Sequence, residues 1–430
     1  MIVEFSVKNF RSIKDLQTLS FAATSLKSSE QYEQVDEDNI VEEEGTRLLK
    51  TIGIYGANAS GKSNIVKAIE YFIQVIRREA SAESALGELC DPYLYQENAP
   101  ETESFFQIVL IIQERKFRYG FTIKKNSNYK DKGSRELITA EWLYGTKEKK
   151  SGEYFIRTGS EVQKDKLPNQ ASIPPIPYEH TLFLTHASAF DAEGICALVR
   201  AFFLRWTISN FSDSLLPFRF HTLRLIEIAN RKQEFLKLMS SFNLDYDDIF
   251  IRRDLNESPY SMVTYDKIFF VKNFIDKSGD IKVILNLLFN ESAGTQKLFD
   301  IAGFLLAAFN LGTSGFVILD EIDSNFHPSL LIKLISLIND PKINLSKLQL
   351  LFTSHDTNLL SPNIMRRDQF YFTEKEENND TRLYSLADLK GIRNDSDFAK
   401  HYLAGYYGGL PILEKFRQNT PIQYEGTLEY

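Results

Sequence analysis

Apolar and polar positions alternate over residues 2–22, where Ile2, Phe5, Val7, Phe10 and Ile13 recur among polar neighbours. This predicts two strands joined around Asn9 to Asp15. A short apolar run, Thr51 to Tyr55, then leads into a stretch that sets Ile65, Ile69, Phe72, Ile73 and Ile76 on one helical face, ending near Glu79. Residues 104–144 read as a β-meander: Phe105 to Ile112 and Phe117 to Ile123 flank a turn at Gln113 to Lys116, and residues 137–144 add a strand. Helical spacing returns at about 189–206 and 222–242, followed by a short β region around 248–285. Beyond residue 291 come an apolar helix with Leu298, Phe299, Ile301, Leu305, Leu306 and Phe309, and the uninterrupted run Phe316 to Leu319. A helix opened by Pro328, a second uninterrupted run from Leu348 to Thr353, and a hairpin over 369–386 complete the pattern. Unbroken apolar strands are those of a parallel sheet buried on both faces, so the fold class is α/β.

Composition changes this picture little. At 430 residues the chain exceeds one ordinary core, so two or three lobes are expected. Two cysteines, Cys90 and Cys196, exclude a disulfide scaffold and a four-cysteine zinc site, and suit a reducing cytosol. No apolar run approaches membrane-spanning length and the first residues are not a secretory signal, so the expected location is cytoplasmic, without a membrane partner. A net charge of −8 argues against indiscriminate coating of nucleic acid. Two local runs stand out. Residues 27–48 carry eight acids and read as an exposed loop, whereas residues 114–150 carry eleven Lys/Arg against five acids and read as a solvated strand face or a surface for nucleic acid or a partner.

The chemistry gathers at Gly56-Ala57-Asn58-Ala59-Ser60-Gly61-Lys62-Ser63. Strand, glycine-rich loop and helix, in that order, make a P-loop whose backbone N–H groups and helix N-terminus cradle phosphates. Lys62 would reach the β/γ-phosphates and the Ser63 hydroxyl would bind Mg²⁺. Asp320-Glu321, ending a buried strand, then reads as its acidic counterpart, with Asp320 holding Mg²⁺ through water and Glu321 polarising the attacking water. Taken alone, two acids at that place would be a cap for the next helix. About 260 residues separate Lys62 from Asp320, too many for a compact GTPase or nucleoside kinase, so a lobe is inserted between the two halves of the site.

At this point the chain resembles the SMC-like, or OLD-type, branch of ABC ATPases, in particular the stand-alone bacterial AAA-type ATP-binding proteins associated with abortive infection and anti-phage defence. The likeness is carried by Val7-Lys8-Asn9-Phe10-Arg11-Ser12, the loop from Gly56 to Asn64, Glu291 to Gln296, Leu319 to Asp323 with His327-Pro328, and Thr353 to Asp356. Arg367-Asp368-Gln369-Phe370 and Tyr402 to Gly408 continue it. The resemblance implies an ABC-type ATPase head, a mixed β-sheet with P-loop and flanking helices, with an inserted α+β lobe and no long coiled coil. The expected division is residues 1–80 and 291–430 as the two parts of the head and 81–290 as the inserted lobe. It implies further that two heads sandwich two nucleotides. Ser292, Gly294, Thr295 and Gln296 would then act in trans as the signature motif, Asp323 as the D-loop acid, His355 as the γ-phosphate switch, and Arg11 as a phosphate contact. Asn58, Ala59, Ser60 and Asn64 complete the ATP-binding set, with ATP and Mg²⁺ as cofactors. A small-residue turn at a helix start is by itself only a cap, and a lone histidine after a strand is ordinarily structural. For the Q-loop glutamine of that group, Gln113 is the weak candidate.

What is missing narrows the function. There is no Cys-x-x-Cys hook, only 75 residues follow His355, too few for a Toprim nuclease, and no Arg-x₄-His pair of the HEPN ribonuclease type occurs. Any toxic activity is therefore expected in an effector, a nuclease or toxin from a neighbouring gene. The leading expectation is an ATPase whose ATP-dependent head dimerisation controls that effector. An ATP-gated sensor or scaffold with little turnover, and a DNA-binding ATPase of repair type, are the alternatives.

Overall fold

The computed structural model describes residues 1–78, 90–97, 102–126, 136–147, 150–210, 215–228, 230–254, 258, 261–276, 279–310 and 315–410. The chain opens with β1 (Ile2–Lys8) and β2 (Gln17–Ser20), then α1 (Glu33–Asn39), β3 (Ile40–Glu43), β4 (Thr46–Leu49), β5 (Thr51–Gly56) and α2 (Lys62–Arg77). A run of strands follows: β6 (Ser104–Ile112), β7 (Arg115–Lys125), β8 (Glu136–Lys147), β9 (Lys150–Thr158) and β10 (Glu161–Gln163). The middle holds α3 (Phe183–Phe190), α4 (Ile195–Leu204), β11 (Thr207–Asn210), α5 (Leu216–Leu223), α6 (Lys232–Ser241), β12 (Asp248–Ile251), β13 (Ile268–Asp276) and β14 (Gly279–Asn286). The last part is α7 (Ala293–Asn310), β15 (Phe316–Asp320), α8 (Pro328–Asn339), β16 (Gln349–Thr353), β17 (Phe370–Lys375), β18 (Thr381–Ser385) and α9 (Phe398–Leu403).

Among the described residues these strands form four sheets, and one of them organises the rest. Its order is β11-β15-β16-β5-β17-β18, with the first five strands parallel and β18 returning antiparallel. Successive residues of its strands enter opposite cores: Phe316, Ile318 and Leu351 belong to one, Val317, Leu319, Leu350 and Phe352 to the other. That is why β15 and β16 read as unbroken apolar runs. On one face lie α2, α3, α4 and a seven-stranded antiparallel sheet, β10-β9-β8-β7-β6-β1-β2. Phe72 of α2 is the hinge of that packing, stacked on Phe121 at 5.4 Å and edge-on to Phe5 and Phe203. On the other face lie α5 to α8 and the sheet β12-β13-β14.

The meander pairs directly with β1, so the first residues of the chain and residues 104–163 share one sheet. No helix among the described residues is long and apolar enough to cross a membrane.

The acidic stretch 27–48 corrects its sequence reading. Instead of an exposed loop it forms α1 and the β3–β4 hairpin, closed by Glu44-Gly45 at φ of 48° and 68°. Val35, Leu48 and Leu49 are buried, and the acids find distant cations: Asp36 pairs with Arg366 and Glu43 with Lys347. A buried Lys50 completes the join by donating to the carbonyls of Asp38 at 2.6 Å and Asn339 at 2.7 Å. In the basic stretch, Lys130, Lys132, Arg135 and Lys149 lie outside the described residues, as does the chain beyond residue 410.

Candidate functional site

Five parallel strands end at one edge, and the candidate residues stand there. Cα register sets Asn210 beside Asp320, Leu319 beside Phe352, Thr353 beside Ile54, and Gly56 beside Thr373. The carboxyl edge of a parallel sheet is where ligands of open α/β folds bind, because loops and helix N-termini converge there.

The loop after β5 is shaped by backbone conformations that side chains disfavour. Gly56, Ala59 and Gly61 have φ of 152°, 62° and 109°. A Cβ on Gly56 would lie 2.5 Å from the Thr373 carbonyl, and one on Gly61 would overlap Thr381. Two threonines clamp the loop from the neighbouring hairpin: Thr373 Oγ1 shares a hydrogen bond with Ser60 Oγ at 2.6 Å, and Thr381 Oγ1 donates to the Ser60 carbonyl at 3.1 Å. The N-terminal turn closes the other side. Asn64 Nδ2 donates to Ser12 Oγ at 2.6 Å, and Ser12 Oγ shares a bond with Thr381 Oγ1 at 2.7 Å. Arg11 itself is ion-paired with Asp91 at 3.5 Å, so Ser12 makes the link to the loop. From the rear, Gly409 comes so close that its Cβ would meet Gly56 Cα at 3.6 Å, held by Tyr402 Oη donating to the Gly409 carbonyl at 3.2 Å.

Lys62, the first residue of α2, is buried and curls into the loop, donating to the carbonyls of Gly56 at 2.9 Å and Ala57 at 3.1 Å. Burial pulls its pKa down, and Asp320, Asp323 and Glu321 partly offset this, which places all three acids within electrostatic reach. Ser63, in the first turn of α2, and Asn58 and Ala59, at the exposed crest of the loop, complete this wall.

Opposite stands the turn after β15. Asp320 is buried, Glu321 has a left-handed φ of 54°, and Asp323 Oδ2 accepts the His355 N–H at 3.2 Å while its Oδ1 is buried without a partner. The His355 pKa is lowered by desolvation first and by Lys62 next, against the raising effect of Asp323, Glu321 and Asp320. These donors and acceptors fit a magnesium-bound polyphosphate. A cationic Nζ, glycine-permitted backbone and a helix start face one way, and buried carboxylate oxygens, one unpartnered, face the other.

The turn from Glu291 to Gln296 lies elsewhere. Ser292 Oγ accepts the Thr295 N–H at 3.1 Å, so it does cap α7, and Gln296 Nε2 donates to the carbonyls of Leu287 at 3.0 Å and Glu291 at 3.3 Å. None of these bonds reaches the P-loop of the same chain. Gly294 instead packs on the turn after Asp323, where a Cβ would meet the Asn325 carbonyl at 2.8 Å. His327 is the N-cap of α8, its Nδ1 accepting the Ser329 N–H at 3.2 Å.

Gln113 is corrected as a site candidate. It occupies the two-residue turn between β6 and β7, with φ of 47°. Ile2 pairs with Leu110 and Lys8 with Phe105, so that turn lies at the opposite end of β1 from Ser12. Asn210, the last residue of β11, is the residue whose backbone stands beside Asp320 at the carboxyl edge, through pairing between β11 and β15. Ser12, Thr353, Thr373 and Thr381 were missed as well. Single hydroxyls carry no spacing signal, and Thr373 and Thr381 act on Ser60, 313 and 321 positions away.

Residues 52–361 match the family described as "AAA domain, putative AbiEii toxin, Type IV TA system". The chain belongs to that family. Its AAA-type domain therefore runs from β5, through the P-loop and the Asp320-Glu321 turn, to just beyond His355. Among solved structures the SMC head domain from Thermotoga maritima is similar over 89% of this chain and 98% of that chain, with 13% sequence identity and a TM-score of 0.40. No protein of curated function matches the sequence.

Proposed function

We propose that this AAA-domain chain binds and hydrolyses ATP, and that two copies close around two nucleotides to control a partner effector in bacterial anti-phage defence. The observation that carries the reading is the placing of the loop after β5, with Lys62, and the Asp320-Glu321 turn after β15 at the same edge of one parallel sheet, with β16 between them. In this reading the N–H groups of the loop through Ser63 bind the phosphates, and Lys62 leaves the carbonyls of Gly56 and Ala57 for the β/γ oxygens. Ser63 and, through water, Asp320 would hold Mg²⁺, which when bound would supply charge neutralisation at the phosphates. Glu321 orients and polarises water for attack on the γ-phosphorus, giving ADP and phosphate. His355, kept neutral near pH 7 by its lowered pKa, reports the γ-phosphate through its ring.

Ser292, Gly294, Thr295 and Gln296 serve a second copy. Their hydrogen bonds leave the P-loop of their own chain untouched, and they pack beside the turn after Asp323, so both elements present one surface to a partner head. The family description, which names a toxin and a type IV toxin–antitoxin system, supports the defence setting. The decisive experiment is Glu321→Gln. It should bind ATP, turn over at least about 100-fold more slowly, and accumulate dimer in light scattering. Wild-type turnover by that variant would sink the assignment. For the effector, the product of a neighbouring gene should co-purify and be released on ATP binding or hydrolysis.

A direct nucleic-acid role is the second reading, favoured by the outer face of the seven-stranded sheet. Along β7, Phe117, Tyr119, Phe121 and Ile123 point into the core, which leaves Lys116, Arg118 and Lys124 on the outer side beside the Phe105–Trp142 stack at 5.5 Å. Affinity for single-stranded DNA should then fall steeply with salt, and a flat dependence removes this reading.

A further inference from the structure

Thr353, the last residue of β16, is buried and ties down three successive positions of the turn after β15. Its hydroxyl donates to Asp320 Oδ1 at 2.5 Å and accepts the Glu321 N–H at 2.8 Å, while its carbonyl accepts the Ile322 N–H at 3.1 Å. A hydroxyl has one proton, so donation to Asp320 fixes its rotor and aims a lone pair at Glu321. Glu321 needs such a partner, because its φ of 54° is a conformation that a residue with a side chain seldom holds unaided. With Oδ1 engaged by Thr353, the carboxylate of Asp320 is held at a fixed rotation.

We infer that Thr353 is a positioning residue for the metal and the attacking water: one hydroxyl sets the orientation of Asp320 and the backbone of Glu321 together. The inference rests on the ATPase reading above. Valine keeps the branched shape and removes both side-chain bonds, whereas serine keeps both bonds and removes only a methyl. Thr353→Val should bind a fluorescent ATP analogue in EDTA as the wild type does, yet gain far less affinity when Mg²⁺ is added. Its half-saturating Mg²⁺ concentration should rise about tenfold and its kcat fall about tenfold, as for other residues that orient a metal ligand. Thr353→Ser should stay within about twofold of wild type. In the wild type, the Glu321 amide should exchange its hydrogen slowly, a readout that needs no variant. A Thr353→Val protein with wild-type Mg²⁺ dependence, a serine variant as impaired as the valine one, or a freely exchanging Glu321 amide would each overturn the inference. A wild-type protein that binds Mg²⁺ and nucleotide but does not turn over defeats the hydrolysis reading instead, and the Mg²⁺-dependent affinities of wild type and Thr353→Val still decide the role of Thr353.

Discussion

Thr381 fills the space that a Cβ on Gly61 would need, while its hydroxyl donates to the carbonyl of Ser60, the residue before that glycine. Gly61 also sits at φ of 109°, so the loop depends on this glycine twice, for its backbone and for its neighbour. Gly61→Ala should lower thermal stability by roughly 1–3 kcal/mol and abolish measurable binding of a fluorescent ATP analogue. Adding Thr381→Ala should recover the steric part of the loss and leave the backbone part. An unchanged affinity in Gly61→Ala would contradict the geometry.

The helix that starts at Ala293 is anchored by a buried ion pair. Arg219 on α5 donates to Asp300 on α7 through Nε at 2.9 Å and Nη2 at 3.2 Å, and its guanidinium lies 3.6 Å over the Tyr265 ring. Removing one member of such a pair strands the other charge in a dry interior. Asp300→Ala should therefore cost about 3–5 kcal/mol in urea unfolding, and a loss below about 1 kcal/mol would show that the pair is not desolvated.

Lys50 gives the fold an alkaline signature. Desolvation, only partly offset by Asp38 and Asp340, pulls its pKa down to about 8. The unfolded chain keeps that proton up to the ordinary lysine range, so between the two values the unfolded state binds more protons and folding gains as pH rises. Wild type should become about 1 kcal/mol more stable between pH 8 and 9 relative to Lys50→Met, read as the difference between their urea midpoints. A difference that is flat or falls with pH would show that the folded protein keeps Lys50 charged.

His355 gives the opposite limb. Its pKa is lowered by desolvation and by Lys62, so the folded protein prefers the neutral ring. Turnover should be level at neutral pH and decline only on the acid side of the ordinary histidine range, and folding stability linked to this ring should fall in the same direction. Lys62→Met should raise the His355 pKa toward that range, followed by NMR of the ring protons. A downward shift would mean that Lys62 does not act on it.

Much of this was legible from residues alone, and what was not has a common cause. β15 and β16 declared themselves because both faces are covered, and α8 because Pro328 suits the first helical position. The stretch 27–48 misled because what folds it, Arg366 and Lys347, lies some 300 positions later. Gln113 misled because only the pairing of β1 with β6 reveals which end of β1 faces the loop, and only the pairing of β11 with β15 brings Asn210 beside Asp320. The late runs Arg367 to Phe370 and Tyr402 to Gly408 were visible without a purpose. Gln369 Nε2 donates to the Thr51 carbonyl at 2.8 Å and so holds the start of β5, while Tyr384 Oη donates to the Tyr407 carbonyl at 2.6 Å, two residues before the Gly409 that packs on Gly56.

β5 is bonded on one side to β16 and on the other to β17. Both are made about 300 residues after it, which at cellular rates of synthesis is roughly 15–60 s. Throughout that interval a nascent chain carries the glycine loop without Thr353, Thr373, Thr381 or Gly409 to shape it. Chains on the ribosome that have not reached Gly409 thus lack the neighbours that shape the loop, and the cradle forms only after residues some 350 positions downstream of Gly56 have been made.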